Sequence, residues 1–122
     1  MSNSFDNPDF LAAFELARRL PGVELGTSYG TPAIKVKGKL MARLRSEAEG
    51  WLAVRCDFAE REMLLQAAPD VFHLTDHYQS YPMILVDLEA IEENALLDLL
   101  ENAWRRVASK KLIREVDEGE KG

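Results

Sequence analysis

The residues that could do chemistry crowd into one stretch, GTSYGTPAIKVKGKLMARLR, residues 26–45. Gly26, Gly30 and Gly38 punctuate it. Lys35, Lys37, Lys39, Arg43 and Arg45 supply five positive charges, with no acid between residues 31 and 45. Two chemistries suit such a stretch: a glycine-rich phosphate cradle, or a turn-rich hairpin that displays cations. A phosphate loop of the Walker type needs Gly-x4-Gly-Lys-Ser/Thr and a following helix, so that amides wrap phosphate and a hydroxyl holds magnesium. Here Gly38-Lys39 is followed by Leu40, the spacing from Gly30 is wrong, and strand-like alternation runs on where the helix should start. The cradle is excluded, and the glycines read as turns.

A second acid-free run, residues 105–114, holds Arg105, Arg106, Lys110, Lys111 and Arg114. The two runs contain ten of the 15 basic residues, and all 21 acids lie outside them in a chain of net charge −6. An acidic protein repels nucleic acid unless its positive charge is concentrated locally, as it is here. The blander account is two solvated faces, one of them a helix end whose cations complement the dipole. Tyr29, Trp51, Tyr78 and Tyr81 flank strands or turns instead of forming a helical stripe. They are candidates either for stacking on bases or for a partner-facing surface.

Cys56 is the single cysteine, which rules out an intramolecular disulfide and a multi-cysteine metal site. It closes an alternating run on the side of Leu52 and Val54, as a buried structural thiol would. His73 and His77 would converge on a helix, but one falls on an expected strand and the other follows a turn. With no third ligand beside them, neither a metal nor a cofactor is expected. Glu92, Glu93 and Asp98 sit at solvent-facing helical spacing. No catalytic residue is singled out, and the domain is expected not to be an enzyme.

The elements that must position these residues follow from period and punctuation. Asn7-Pro8-Asp9 is a helix start: a capping side chain, a ring that pre-sets φ, and an acid at the positive dipole end. Phe10, Ala13, Phe14, Ala17 and Leu20 continue at helical spacing until Pro21-Gly22. Ile34 and Val36 then alternate with Lys35 and Lys37, and Leu40, Ala42 and Leu44 with Met41, Arg43 and Arg45. A two-residue turn at Lys37-Gly38 would set Lys35 beside Leu40 and mix charge into the core. A three-residue turn, Lys37-Gly38-Lys39, pairs Val36 with Leu40 and Ile34 with Ala42, and is the expected register. Lys35, Arg43 and Arg45 then share the outer face, with Met41, Trp51 and Leu85 also outward, and Lys37 and Lys39 crown the tip. SEAEG is the next loop and WLAVRC the next strand. Asp57 and Glu60 form a capping box before a short helix ended by Pro69. VFHLT and PMILVDL read as strands joined by DHYQSY. Leu96, Leu99, Leu100, Ala103, Trp104 and Val107 make the stripe of a long helix over about 92–108.

The expected fold is α+β: an antiparallel sheet of five to six strands, with N- and C-terminal helices on one face and a short helix between strands. One domain, 1–114, is expected, with 115–122 as a flexible acidic tail. No run is long and apolar enough to span a bilayer, and MSNSFDNPDF does not read as a secretory signal, so the cytoplasm is the expected compartment. A monomer is favoured.

PGVELGTSYGTPAIKVKGKLMARL, FHLTDHYQSYPMILVDL and ENAWRRVASKKL together resemble the MmcQ/YjbR family over residues 21–112. The resemblance implies a frataxin-like (CyaY-like) two-layer sandwich. It also implies DNA binding of a double-wing kind, in which the sheet and its hairpins meet the duplex. Lys35, Lys37, Lys39, Arg43 and Arg45 would then contact phosphates, joined by Arg105, Arg106, Lys110 and Lys111 if the two patches share a face. Such contacts give affinity but no sequence specificity. A frataxin-like iron site would need a dense acidic ridge, and Asp6, Asp9 and Glu15 are too sparse. The competing expectation is a protein-interaction module that uses the outer sheet face.

Overall fold

The computed structural model describes residues 7–45 and 51–121; the SEAEG loop lies outside the described residues. Helix α1 (Pro8–Ala17) starts as its residues demand, with the Asn7 side chain accepting from the Phe10 amide at 3.0 Å. Six strands follow: β1 (Val23–Ser28), β2 (Thr31–Val36), β3 (Lys39–Leu44), β4 (Trp51–Arg55), β5 (Phe72–His73) and β6 (Met83–Asp87). They form one antiparallel sheet in the order β1-β2-β3-β4-β6-β5. Helix α2 (Phe58–Ala67) leaves β4, with Asp57 capping the Glu60 amide at 2.6 Å. Helices α3 (Glu93–Val107) and α4 (Lys110–Lys121) end the chain. The α+β expectation holds. No described helix is long and apolar enough to cross a membrane.

Helices α1 and α3 lie on one face of the sheet and seal the main core. Phe10, Ile34, Met41, Leu52, Ile84 and Leu100 are fully buried there. So is Trp104, whose indole N–H donates to the Pro21 carbonyl at 2.9 Å and ties α3 to the turn before β1. A buried indole needs such a partner.

The β2–β3 hairpin corrects the expected register. The turn has two residues, with φ 49° at Lys37 and 85° at Gly38, the pair of positive angles that a type I′ turn requires. Val36 therefore faces Lys39, and Lys35 faces Leu40. Ile34 still faces Ala42, because a bulge between Ile34 and Lys35 absorbs one residue. The short turn matches the strand twist, and the bulge restores the hydrophobic register beyond it. Met41 consequently points into the main core instead of outward, and Leu40 moves to the outer face.

Three further expectations change. VFHLT pairs only at Phe72 and His73; the chain then leaves the sheet, and a short 3-10 turn at Asp76–Tyr78 brings it over the outer face. Ala53, Tyr78, Met83 and Leu85 form a second, smaller buried cluster there, so Leu85 is not the exposed residue its alternation suggested. Residues 115–121, expected as a flexible tail, continue α4 as helix. The Ser109 hydroxyl caps the Leu112 amide, Leu112, Ile113 and Val116 pack against the main core, and Asp117 pairs with Arg105 at 3.0 Å.

Candidate functional site

The outer face is organised around Arg43. On this face Arg43 stands directly between Ala33 of β2 and Ala53 of β4, and Leu85 and His73 continue the same row. Two methyl groups as neighbours leave room beside the guanidinium. Its Nη1 donates to the Tyr78 hydroxyl at 2.6 Å, and its central carbon lies 5.5 Å from the Tyr29 ring centre. The Nε–H of Arg43 is buried and has no hydrogen-bond partner among the described residues.

Around this arginine is a cavity of about 550 Å³. Leu40 and Met83 supply apolar lining, Arg43 and Arg55 cations, and Tyr29, Tyr81, His77 and Tyr78 an aromatic wall. Within the wall, the His77 ring meets Tyr78 edge-on at 4.9 Å and Tyr81 at 5.8 Å. A second cavity of about 450 Å³ shares Leu40, Arg55 and Met83 and adds Lys39, Arg106 and Val107. No carboxylate lines either cavity. The contrast is with a smaller hollow beside α1 and α3, whose lining includes Asp9 and Glu93.

The aromatic wall is held from behind by Arg61, the one buried charged residue described, at 5% exposure. Its guanidinium donates to the carbonyls of Gln79 at 3.0 Å and Tyr81 at 2.9 Å, and to those of Tyr78 and Met83 at 3.2 and 3.3 Å. Phe58 stacks under it at 4.7 Å. A buried cation needs that many acceptors to replace water. Segment 78–83 is thus clamped to α2 rather than to the sheet alone.

The remaining chemistry is structural. Cys56 is buried, and burial pushes its thiol up to about 12, which keeps it protonated and unreactive. Among the described residues no three His, Cys, Asp or Glu side chains cluster as metal ligands.

A model of the YjbR family matches residues 18–106, which run from the end of α1 to near the end of α3 and include the whole sheet, the first cavity and all of the second cavity's lining but Val107. The chain belongs to the YjbR family. Uncharacterized proteins of Mycobacterium bovis and Mycobacterium tuberculosis are 37% identical to it over 51 residues, 42% of this chain. The match spans only 40% of the length of those relatives. A crystal structure of Deinococcus radiodurans protein DR2400, a DUF419 domain, aligns with a TM-score of 0.70 over 96% of this chain and 92% of that one. At 19% identity this likeness concerns the fold.

Within this YjbR domain the expected site residues separate. Tyr29, Arg43, Tyr78 and Tyr81 meet at the first cavity, and Lys39 and Arg106 at the second. Tyr29 is 92% exposed and Tyr81 52%, whereas Tyr78 is buried and spends its hydroxyl on Arg43 rather than offering a stacking surface. Trp51, also expected to be available, stacks on His73 at 4.2 Å with the rings 5° from parallel. Lys37 is exposed at the hairpin tip, and Lys35 arches over Gly26, where a Cβ would stand 3.1 Å from its stem. Arg45 follows β3, its amide bonded to the Trp51 carbonyl.

The terminal patch is neutralised at its two α3 arginines. Arg106 pairs with Asp57 at 2.8 Å and Glu60 at 2.9 Å, and its pKa is raised, chiefly by the hydrogen bond to Glu60. Arg105 pairs with Asp117 at 3.0 Å, with Glu101 at 3.7 Å. Lys110 and Lys111 are exposed at the start of α4, away from both cavities' linings. Arg55, His77 and Arg61 escaped the sequence reading. Arg55 and Arg61 are isolated bases among acids in sequence, and His77 was weighed only as a metal ligand. The one usable signal was that Arg55 alternates outward from Leu52, Val54 and Cys56.

Proposed function

We propose that this domain binds nucleic acid and is not an enzyme, with the outer sheet face and the β2–β3 turn as its contact surface. The observation that carries this reading is the charge segregation. In a chain of net charge −6, two adjoining cavities carry Lys39, Arg43 and Arg55 in their linings and no acid, beside an Arg106 whose charge is met by Asp57 and Glu60. Lys37 is exposed at the turn itself, its stem lying near Gly22, while Glu24 accepts from the neighbouring Gly38 amide at 2.8 Å. Local concentration of charge, not net charge, sets the field that a phosphate backbone meets at close range. The footprint is smaller than the sequence implied, because Arg105 and Arg106 already have carboxylate partners. Affinity should be modest, and screened by salt.

The competing interaction-module reading needed a bare apolar outer face. Segment 74–83 covers that face with Leu74, Tyr78 and Met83, which removes most of its support.

The test is fluorescence anisotropy of a labelled duplex and a labelled single strand, titrated from low to physiological salt. The expected result is saturable binding whose logarithm falls linearly with log salt concentration. Lys37→Glu combined with Lys39→Glu should weaken it at least about tenfold at low salt and flatten the slope by about two, one for each lost phosphate contact. Absence of binding at low salt would remove the proposal.

A further inference from the structure

We propose that the cavity between Tyr29 and Tyr81 is a compartment for one unstacked nucleobase, so that this domain prefers single-stranded to duplex nucleic acid. This rests on the nucleic-acid reading and adds to it what part of the polymer the site takes. The cavity of about 550 Å³ falls within the range of small-molecule sites, ample for a base and its sugar. Its chemistry is that of a nucleotide turned inside out. Exposed tyrosine rings offer flat apolar faces to a base, Leu40 and Met83 offer an apolar floor, and Arg43 and Arg55 offer donors to the attached phosphate. A paired base inside a duplex cannot enter such a recess without leaving its stack.

Tyr29 provides a second, independent observation. It sits at φ 51° ahead of Gly30 at 78°, in the first central position of a two-residue hairpin turn that joins Ser28 to Thr31. Asn, Asp or Gly adopt that conformation cheaply, and a bulky aromatic does not. Burial provides little compensation, because the side chain is 92% exposed. Its contact with the Arg43 guanidinium at 5.5 Å places the ring over the cavity's cation. Strain held at an exposed aromatic, at the mouth of a cavity, is what a ligand-facing residue leaves behind. The buried Nε–H of Arg43, with no acceptor among the described residues, marks the same wall as incompletely satisfied.

The experiment compares three labelled probes at one low salt concentration: an oligothymidylate of about 12 nucleotides, an abasic strand of the same length, and a duplex of the same length. Unmodified protein should bind the oligothymidylate about tenfold more tightly than the abasic strand, and more tightly than the duplex. Tyr29→Asn keeps a residue suited to the turn, so folding is not at risk. It should remove most of the oligothymidylate advantage and leave abasic binding unchanged. If all three probes bind alike and Tyr29→Asn is silent, the base compartment is wrong, and the phosphate-contacting reading survives on its salt dependence. If none binds, both readings fall together.

Discussion

On the helix side of the sheet, Phe10, Ile34, Leu100 and Trp104 fill the space between layers with no measurable exposure. On the outer side, the central row sets Arg43 between two alanines, and a single folded segment supplies most of the cover. The first arrangement maximises apolar area removed from water, the dominant favourable contribution to folding. The second leaves a recess of aromatic rings, Leu40 and Met83, with the cations Arg43 and Arg55 at its walls. On the proposed reading stability and binding are separable by face, and Arg61 is where they join, because it braces the recess from within the protein.

The contrast can be broken in order of expected effect. Trp104→Ala on the helix side should cost about 3–5 kcal/mol, from lost burial and an unfilled cavity, measured by urea denaturation. Arg61→Ala should cost about 3 kcal/mol, because four carbonyls of segment 78–83 lose their donor. It should also expose that segment to limited proteolysis before the rest of the chain; uniform cleavage along the chain would show that the recess has no independent brace.

The thiol of Cys56 gives a subtler readout of the helix side. Its pKa rises from 9.0 to about 12 in the folded state, so the unfolded chain releases its proton first. This contribution to stability is complete below about 9 and declines as pH rises toward about 12. Cys56→Ala should remove that part of the alkaline loss, read from urea midpoints across the interval. Smallest is Tyr29→Asn, which should stabilise the protein by about 1 kcal/mol by relieving left-handed strain. A destabilised Tyr29→Asn protein would mean that the ring serves the fold after all.

Short-range physics made much of this protein legible in advance. Asn7 and Asp57 cap amides three positions away, and the α3 stripe from Leu96 to Val107 is buried along its length. Those signals depend on neighbours a turn apart, and tertiary context did not override them. The β2–β3 register went wrong because alternation alone cannot distinguish a longer turn from a short turn with a bulge. Both bring Ile34 opposite Ala42, and only the twist of the assembled sheet separates them. The α4 helix is not legible because its run of charges of both signs resembles a solvated tail until Leu112, Ile113 and Val116 find the core.

The amino-acid sequence by itself determined the helix starts, the strand alternation, the turn glycines and the presence of two basic runs. Only the tertiary structure decided which of those charges remain available. Arg106 reaches Glu60 across 46 positions, and Arg43 reaches Tyr78 across 35. An ion pair or a cavity wall depends on distances that folding sets between remote residues, and no local periodicity encodes them. The sequence thus showed where positive charge is abundant, and the fold selected the small part of it that surrounds a recess.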